Sequence, residues 1–178
     1  MIQLQAGEVW PLSTLRAVGR GAVAVPGATA WTHVQFRRFV GCPICSLNLR
    51  RFVRRDEELR GKGILEVIVF ASSERVLGEY APEFPFPLVA DPGREHYRRL
   101  GIERSARALL HPAAWLAGAR GVGTFGGCLP ERVSDTHALP ADFLVDVQGR
   151  VRACKYGRHA DDQWSVDELL RLVNQGSV

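Results

Sequence analysis

Apolar residues recur along this chain in two periodic patterns, one typical of buried strands and one typical of amphipathic helices. Runs rich in β-branched and aromatic residues, bounded by glycine, serine or proline, predict the strands 31–40, 64–70, 143–147 and 151–156. Helical spacing and residues that favour helix starts predict the helices 45–60, 72–80, 91–100 and a last helix from 165. Ser165 and Glu168 form a capping box that supports the last of these.

The order of these elements predicts an α/β fold in which a central mixed β-sheet is flanked by helices. The helix between strands 31–40 and 64–70 predicts a right-handed crossover that makes the two strands parallel. Strands 143–147 and 151–156 flank a turn at Gln148-Gly149, which predicts an antiparallel hairpin near the end of the chain.

A chain of 178 residues, 46% of them hydrophobic, is long enough to bury a full core, so we expect a single domain over 1–178. Residues 1–30 contain several glycines and prolines and predict an N-terminal extension that forms a short hairpin. Residues 104–138 combine an apolar stretch with a glycine-rich one, which predicts a helical, glycine-rich insertion before the last hairpin. We expect this insertion to form a substrate groove or a dimer contact, so a homodimer is one of the alternatives.

The formal net charge of +4 is mild, and the 23 lysines and arginines are spread along the chain. The densest run has helical spacing and is typical of a solvated helix face; it comprises Arg50, Arg51, Arg54 and Arg55. Because no recognised nucleic-acid-binding fold accompanies this charge, we expect no nucleic-acid partner. No apolar stretch approaches the roughly 20 residues of a membrane span, and the first ten residues lack the pattern of a secretory signal. These features predict a cytoplasmic protein without a membrane segment.

The candidate chemistry lies in Gly41-Cys42-Pro43-Ile44-Cys45, where two thiols are three residues apart between a predicted strand and a predicted helix. The first N–H groups of a helix lack partners inside the helix and favour a thiolate over a neutral thiol. Thiolate is the reactive form of cysteine, so the spacing is typical of a redox dithiol.

A metal site is the main alternative for these thiols, but structural zinc usually needs a second pair of ligands. Cys128 and Cys154 lie far apart in the sequence, and the five histidines form no matched pair. Pro43 inside the motif also favours redox chemistry, because its fixed backbone helps to hold both sulfurs near the helix start. We therefore expect neither a metal nor a cofactor.

The order of strand, CxxC motif, helix, strand, helical middle, hairpin and last helix resembles that of thioredoxin-like proteins. This resemblance implies a cis proline that faces the dithiol just before the hairpin, and Leu139-Pro140 stands at that place. Three further stretches make the chain resemble peroxiredoxin-like proteins of the alkyl hydroperoxide reductase and thiol-specific antioxidant (AhpC/TSA) group. They are 36–45, 84–92 and 141–146.

This resemblance implies a thiol-based antioxidant or exchange activity, but the site departs from the peroxidase pattern Pro-x-x-x-Thr-x-x-Cys. With the last residue of that pattern on Cys45, Cys42 takes the place of the threonine and Arg38 that of the proline. The second active-site arginine of the family is also missing, because Leu139 and Pro140 stand there. The motif is therefore more similar to that of thioredoxin.

These two similarities assign the attacking thiol differently. The similarity to thioredoxin implies that Cys42 attacks, and the similarity to peroxiredoxins implies that Cys45 does. We favour Cys42, because we expect it to be exposed outside the helix start and Cys45 to be covered. Arg37 and Arg38 can lower a thiol pKa, but strand alternation lets only one face the site; we expect this to be Arg38 and the other to be solvated.

The sequence predicts a thiol-disulfide oxidoreductase that cycles Cys42 and Cys45 and takes electrons from a thiol reductant, thioredoxin-like or of low molecular weight. A protein disulfide is the expected substrate, and reduction of a peroxide by Cys45 is the alternative within enzymes. A redox-switched binding protein is an alternative of another class. Cys128 is expected to be an incidental thiol, Cys154 a small core residue, and the polar cluster 159–164 a helix cap or loop closure. The sequence does not identify the substrate or the electron donor.

Overall fold

Seven strands form one mixed β-sheet in the computed structural model, which describes residues 3–102 and 137–176. The strands are Thr14–Ala17 (β1), Gly21–Ala24 (β2), Trp31–Arg37 (β3), Ile64–Phe70 (β4), Leu88–Ala90 (β5), Ala141–Asp146 (β6) and Val151–Tyr156 (β7). Their order across the sheet is β2-β1-β5-β4-β3-β6-β7. The central strands β3, β4 and β5 are parallel, and the remaining pairings are antiparallel. The predicted α/β class with a mixed sheet is confirmed.

Helices connect and cover these strands. They are Pro43–Arg54 (α1), Asp56–Gly61 (α2), Glu74–Tyr80 (α3), Glu95–Arg99 (α4) and Val166–Gly176 (α5), with a short 3-10 turn at Ala81–Glu83. The single helix predicted at 45–60 is wrong, because Arg55 leaves helical geometry with φ −112° and ψ 20° and separates α1 from α2. Of the helices among the described residues, none has both the length and the apolar character to cross a membrane.

Each face of the sheet has its own apolar cluster. One cluster joins the sheet to the N-terminal segment and α4, and it includes Trp10, Val34, Phe36, Tyr97 and Phe143. The other joins the opposite face to α1 and α5, and it includes Leu49, Phe52, Ile68, Leu169 and Val173. This second cluster packs α1, which carries the CxxC motif, against β3 and β6.

Both predicted hairpins are present. β1 pairs with β2 in the antiparallel register Thr14↔Ala24, and β6 pairs with β7 around a turn in which Gly149 has φ +77°. The predicted insertion 104–138 lies outside the described residues except for its last two positions.

The cis bond expected at Leu139-Pro140 is wrong, since the cis peptide of the described chain is Val25-Pro26. Pro140 enters β6 in the ordinary trans form, and its carbonyl accepts a hydrogen bond from Gly157 N (2.8 Å) at the end of β7. The trans form is also the intrinsically favoured one, by about 0.5 to 1 kcal/mol.

Candidate active site

The two thiols lie at the start of α1, immediately after β3. Gly41 turns the chain into the helix with φ +80°, a conformation that side chains other than glycine rarely adopt. Cys42 is the N-cap residue, Pro43 occupies the first turn, and Cys45 follows one residue after Ile44. The predicted position of the CxxC motif at a strand-to-helix junction is therefore found in the structure.

Both thiols are free and only about 1% exposed. They form a small apolar cluster with Phe39, Ile44 and Ala160, and Ala160 comes from the segment between β7 and α5. The expectation that Cys42 is exposed is wrong, because residues distant in the sequence pack over the helix start.

Arg38 contacts the thiols directly. Its Nη2 donates a hydrogen bond to Cys42 Sγ (2.7 Å), although the residue itself is only 2% exposed. A guanidinium is always charged, so this contact places a fixed positive charge beside the sulfurs. The choice of Arg38 over Arg37 as the arginine that faces the thiols agrees with this contact.

Hydrogen bonding and charge shift the two thiol pKa values in opposite directions. The hydrogen bond from Cys42, helped by the positive charge of Arg38, lowers the pKa of Cys45 to about 5. Burial, together with the same hydrogen bond, raises the pKa of Cys42 well above its usual value. At neutral pH the pair therefore carries one negative charge, which is balanced by Arg38.

Arg37 is also buried, which contradicts the expectation that it is solvated. Its Nη2 forms an ion pair with Asp142 Oδ1 (2.6 Å) and donates to Gln35 Oε1 (2.6 Å). Its carbonyl accepts a hydrogen bond from the hydroxyl of Tyr97. Strand alternation directs Arg37 into the layer between the sheet and α1, where an ion partner from β6 compensates for the loss of water.

The same layer contains a buried histidine between two carboxylates. His33 Nδ1 lies 2.8 Å from Glu66 Oε2, and His33 Nε2 lies 3.2 Å from Asp142 Oδ1. Burial favours the neutral imidazole, but the two carboxylates outweigh it and raise the pKa of His33 to about 9. Burial likewise favours neutral Asp142, yet Arg37 and His33 lower its pKa to about 2.

The sequence prediction missed this network of His33, Gln35, Arg37, Glu66 and Asp142, which we call the buried polar network. Two signals in the sequence point to it. The first is the set of three polar residues at alternate positions of a predicted buried strand, His33, Gln35 and Arg37. The second is a carboxylate next to buried apolar residues in each of two neighbouring strands, Glu66 in β4 and Asp142 in β6.

Pro140 and Cys154 have surroundings of their own. Pro140 packs against Gly157 and borders a cavity of about 370 Å³, which is lined by Gln3, Ile102, Leu139, Pro140, Tyr156, Gly157 and Arg158. Cys154 is partly buried beside the first apolar cluster and donates a weak hydrogen bond to Leu4 O (3.2 Å). Cys128 lies outside the described residues. In the part of the chain that the structure describes, no group of three or more His, Cys, Asp or Glu residues is placed to hold a metal ion.

The sequence that forms this site matches the model of a known protein family. The family model described as the AhpC/TSA family matches residues 21–154, well over half of the chain. The chain belongs to the AhpC/TSA family. A search among curated proteins finds no match to this AhpC/TSA sequence.

Solved structures with the same fold include peroxiredoxins and a thiol-disulfide exchange protein. A variant of peroxiredoxin 6 from Arenicola marina has a TM-score of 0.71 at 16% identity, with 96% of this AhpC/TSA chain and 72% of that chain covered. Peroxidoxin BcpB from Mycobacterium tuberculosis has a TM-score of 0.71 at 14% identity, covering 97% and 98%. A protein from Chlorobium tepidum assigned as the thiol:disulfide interchange protein DsbE has a TM-score of 0.61 at 18% identity, covering 96% and 99%. These similarities show that the fold is thioredoxin-like.

Proposed function

We propose that this AhpC/TSA protein is a thiol oxidoreductase that cycles Cys42 and Cys45 between a dithiol and a disulfide. The observation that supports this most strongly is the pair of thiols that share one proton beside Arg38. A thiolate attacks disulfides and peroxides, and a neighbouring thiol can then complete an intramolecular disulfide.

The reaction with a substrate disulfide balances as follows. Cys42 passes its proton to Cys45 and attacks one substrate sulfur, so the substrate S–S bond breaks and the departing thiolate takes a proton from water. Cys45 then loses its proton and attacks Cys42 Sγ, which releases the second substrate sulfur as a thiol with that proton. The substrate disulfide has gained two electrons and two protons, and the protein dithiol is oxidised. We propose that a thiol reductant, thioredoxin-like or of low molecular weight, restores the dithiol.

We assign the attack to Cys42 because it is the N-cap residue, outside the helical turn that contains Cys45. Arg38 donates to its sulfur and stabilises negative charge there once the proton has moved to Cys45. Cys45 then serves as the resolving thiol.

Reduction of a hydroperoxide is the second candidate, and the lowered pKa of Cys45 favours it. Here the Cys45 thiolate attacks the peroxide and becomes a sulfenic acid as the O–O bond breaks, and the leaving oxygen takes a proton from water and departs as water or an alcohol. The Cys42 thiol then condenses with the sulfenic acid, releases water and forms the same disulfide.

Two residues that position the peroxide in peroxiredoxins are missing from this chain. Cys42 stands where peroxiredoxins carry a threonine, and Leu139 and Pro140 stand where they carry a second arginine. Because each such preorganised donor contributes roughly 3 kcal/mol, losing both slows peroxide attack by on the order of ten-thousandfold.

Stopped-flow kinetics of the reduced protein would distinguish these candidates, with hydrogen peroxide and a small aromatic disulfide as the two substrates. A double variant, Cys42→Ser with Cys45→Ser, is the control for both reactions. We expect the disulfide to react faster. A peroxide rate constant equal to that of dedicated peroxidases would assign the function to the second candidate. A disulfide that forms but does not turn over with a thioredoxin-type reductant would favour a redox-switched binding protein.

We further propose a cytoplasmic location and a single domain that spans the chain. A reversible dithiol is more typical of cytosolic proteins, where structural disulfides are rare. Fractionation of the native protein with soluble and membrane markers tests the location.

A further inference from the structure

The segment 157–164, between β7 and α5, lies over the dithiol. Its central residue Ala160 has no exposed surface and belongs to the same apolar cluster as Cys42, Cys45, Phe39 and Ile44. Both thiols are about 1% exposed beneath it. A substrate sulfur must approach to bonding distance, so neither thiol can react in this closed arrangement. We call the segment 157–164 the cover.

Both ends of the cover are anchored to the body of the protein. At one end, Gly157 N donates to Pro140 O (2.8 Å). At the other end, Trp164 N donates to Asp142 Oδ2 (3.2 Å), and Asn48 Nδ2 of α1 donates to Trp164 O (3.1 Å). The stretch that passes over the sulfurs therefore lies between two fixed points, as a segment that swings open requires.

Asp162 links the middle of the cover to its surroundings. Its carboxylate accepts hydrogen bonds from Lys155 Nζ (2.8 Å) on β7, Arg158 N (3.0 Å) and Arg158 Nε (3.3 Å). The side chain of Asp162 is only 11% exposed, whereas that of Arg158 is 89% exposed. The contacts to Lys155 and the backbone N–H therefore contribute most of the stabilisation, because exposed ion pairs contribute little. Burial raises the pKa of Asp162, but these hydrogen bonds outweigh it and lower the pKa to about 2.

We propose that the cover must open to admit a substrate to the dithiol, and that Asp162 is the positioning residue that holds it closed. The purpose of the opening rests on the proposed function, but the opening itself is measurable without turnover. In this assignment Asp162 does not touch the reacting sulfurs. It acts by holding the cover in the closed position.

The test is the rate at which iodoacetamide alkylates the reduced full-length protein, followed by mass spectrometry of the peptide that contains Cys42 and Cys45. Asp162→Asn keeps the shape of the side chain but removes its charge. We expect alkylation at least about fivefold faster, because weakening charged hydrogen bonds raises the open population by such a factor. The pH midpoint of alkylation should not move, since Arg38 and the helix start are unchanged.

Two controls separate opening of the cover from general loosening of the protein. Asp167→Asn also removes a carboxylate paired with an arginine, Arg55, but at an exposed site. The alkylation rate of Cys154 in the same samples reports on wider unfolding. If Asp162→Asn does not fold, Lys155→Met weakens the same contact from β7 and should show the same selective acceleration.

An unchanged alkylation rate of Cys42 and Cys45 in Asp162→Asn and Lys155→Met would overturn the proposal. Equal acceleration at Cys154, or in Asp167→Asn, would also overturn it. Selective acceleration in a protein that does not react with disulfides or peroxide would support the cover and contradict the proposed function, so the two failures are distinguishable.

Discussion

Two arginines that are adjacent in the sequence have different partners and different effects. Arg38 donates to Cys42 Sγ and balances the single negative charge of the dithiol. Arg37 forms an ion pair with Asp142 of the neighbouring strand β6. Strand alternation separates the two side chains, so one supports the reacting sulfurs and the other supports the layer beneath them.

Arg38→Met should raise the pKa of the Cys45 thiol, which is about 5 in the native protein. Loss of an opposite charge at this distance is expected to raise it by about 1 to 3 units. Ultraviolet absorbance of the thiolate as a function of pH measures the midpoint. Arg54→Met is the matched control, because it removes an exposed arginine at the other end of α1. Equal midpoints in the two variants would contradict the role given to Arg38.

Cys45→Ser should trap a mixed disulfide between Cys42 and a disulfide substrate, because the resolving thiol is missing. Mass spectrometry of the unreduced protein detects the adduct and assigns it to a peptide. In the native protein, mild oxidation should instead remove both thiol hydrogens within the peptide that carries Cys42 and Cys45. Trapping only in Cys42→Ser would reverse the two roles.

At the scale of secondary-structure elements, the end of β7 determines how closely the cover can approach the sheet. A Cβ atom on Gly157 would lie 2.6 Å from Asp162 O and 2.9 Å from Pro140 O. Both neighbours are backbone atoms, which cannot rotate away as a side chain can. The absence of a side chain at this position therefore allows the cover to close over the thiols.

Gly157→Ala should destabilise the protein by about 1 to 3 kcal/mol and accelerate alkylation of the dithiol, because the new methyl group displaces the cover. Denaturant unfolding and the alkylation assay measure the two effects. Gly61→Ala is the control, since a Cβ atom there meets nothing within 4 Å at the end of α2. That variant should be neutral or slightly more stable. Unchanged stability and alkylation in Gly157→Ala would show that the cover tolerates a side chain there.

For the whole molecule, the buried polar network connects three strands of the sheet with the cover. His33 and Arg37 of β3 and two carboxylates, Glu66 of β4 and Asp142 of β6, form a set in which two positive charges balance two negative ones. The ring of His33 lies between Phe52 of α1 and Trp164, with centroid distances of 5.6 Å to each. Asp142 also accepts from Trp164 N, so its position affects both the sheet and the cover.

This network predicts a decline in stability at alkaline pH. The pKa of His33 is raised to about 9 in the folded protein from an ordinary value of 6.5. Its stabilising contribution is therefore complete below pH 6.5 and is lost as the pH rises through about 9, by on the order of 3 kcal/mol.

The measurement is the free energy of unfolding against pH in a Cys42→Ser, Cys45→Ser double variant. That background is needed because the lowered pKa of Cys45 makes stability rise over the same range. Adding His33→Gln to this background should abolish the decline. A decline that persists in the triple variant would show that another group causes it.

The candidate site was predictable from the sequence only in part. The position of Cys42 and Cys45 at a strand-to-helix junction follows from local patterns. Alternation separates Arg37 from Arg38, but the contact that shows Arg38 beside the thiols comes from the structure. The burial of Cys42, the ion pair of Arg37 and the trans form of Pro140 did not follow. The first two depend on residues more than a hundred positions away, Ala160 and Asp142, whereas Pro140 takes the isomer that X-Pro bonds ordinarily favour.

The sequence by itself determined the α/β class, the two hairpins and the dithiol at a helix start, because hydrophobic period, turn residues and helix caps act over a few neighbouring positions. Only the tertiary structure decided that the two thiols are buried beside one fixed positive charge, what covers the pair and which polar residues meet beneath it. These outcomes depend on desolvation and on charges from β3, β4, β6 and the cover, and such groups meet only when the sheet and helices pack.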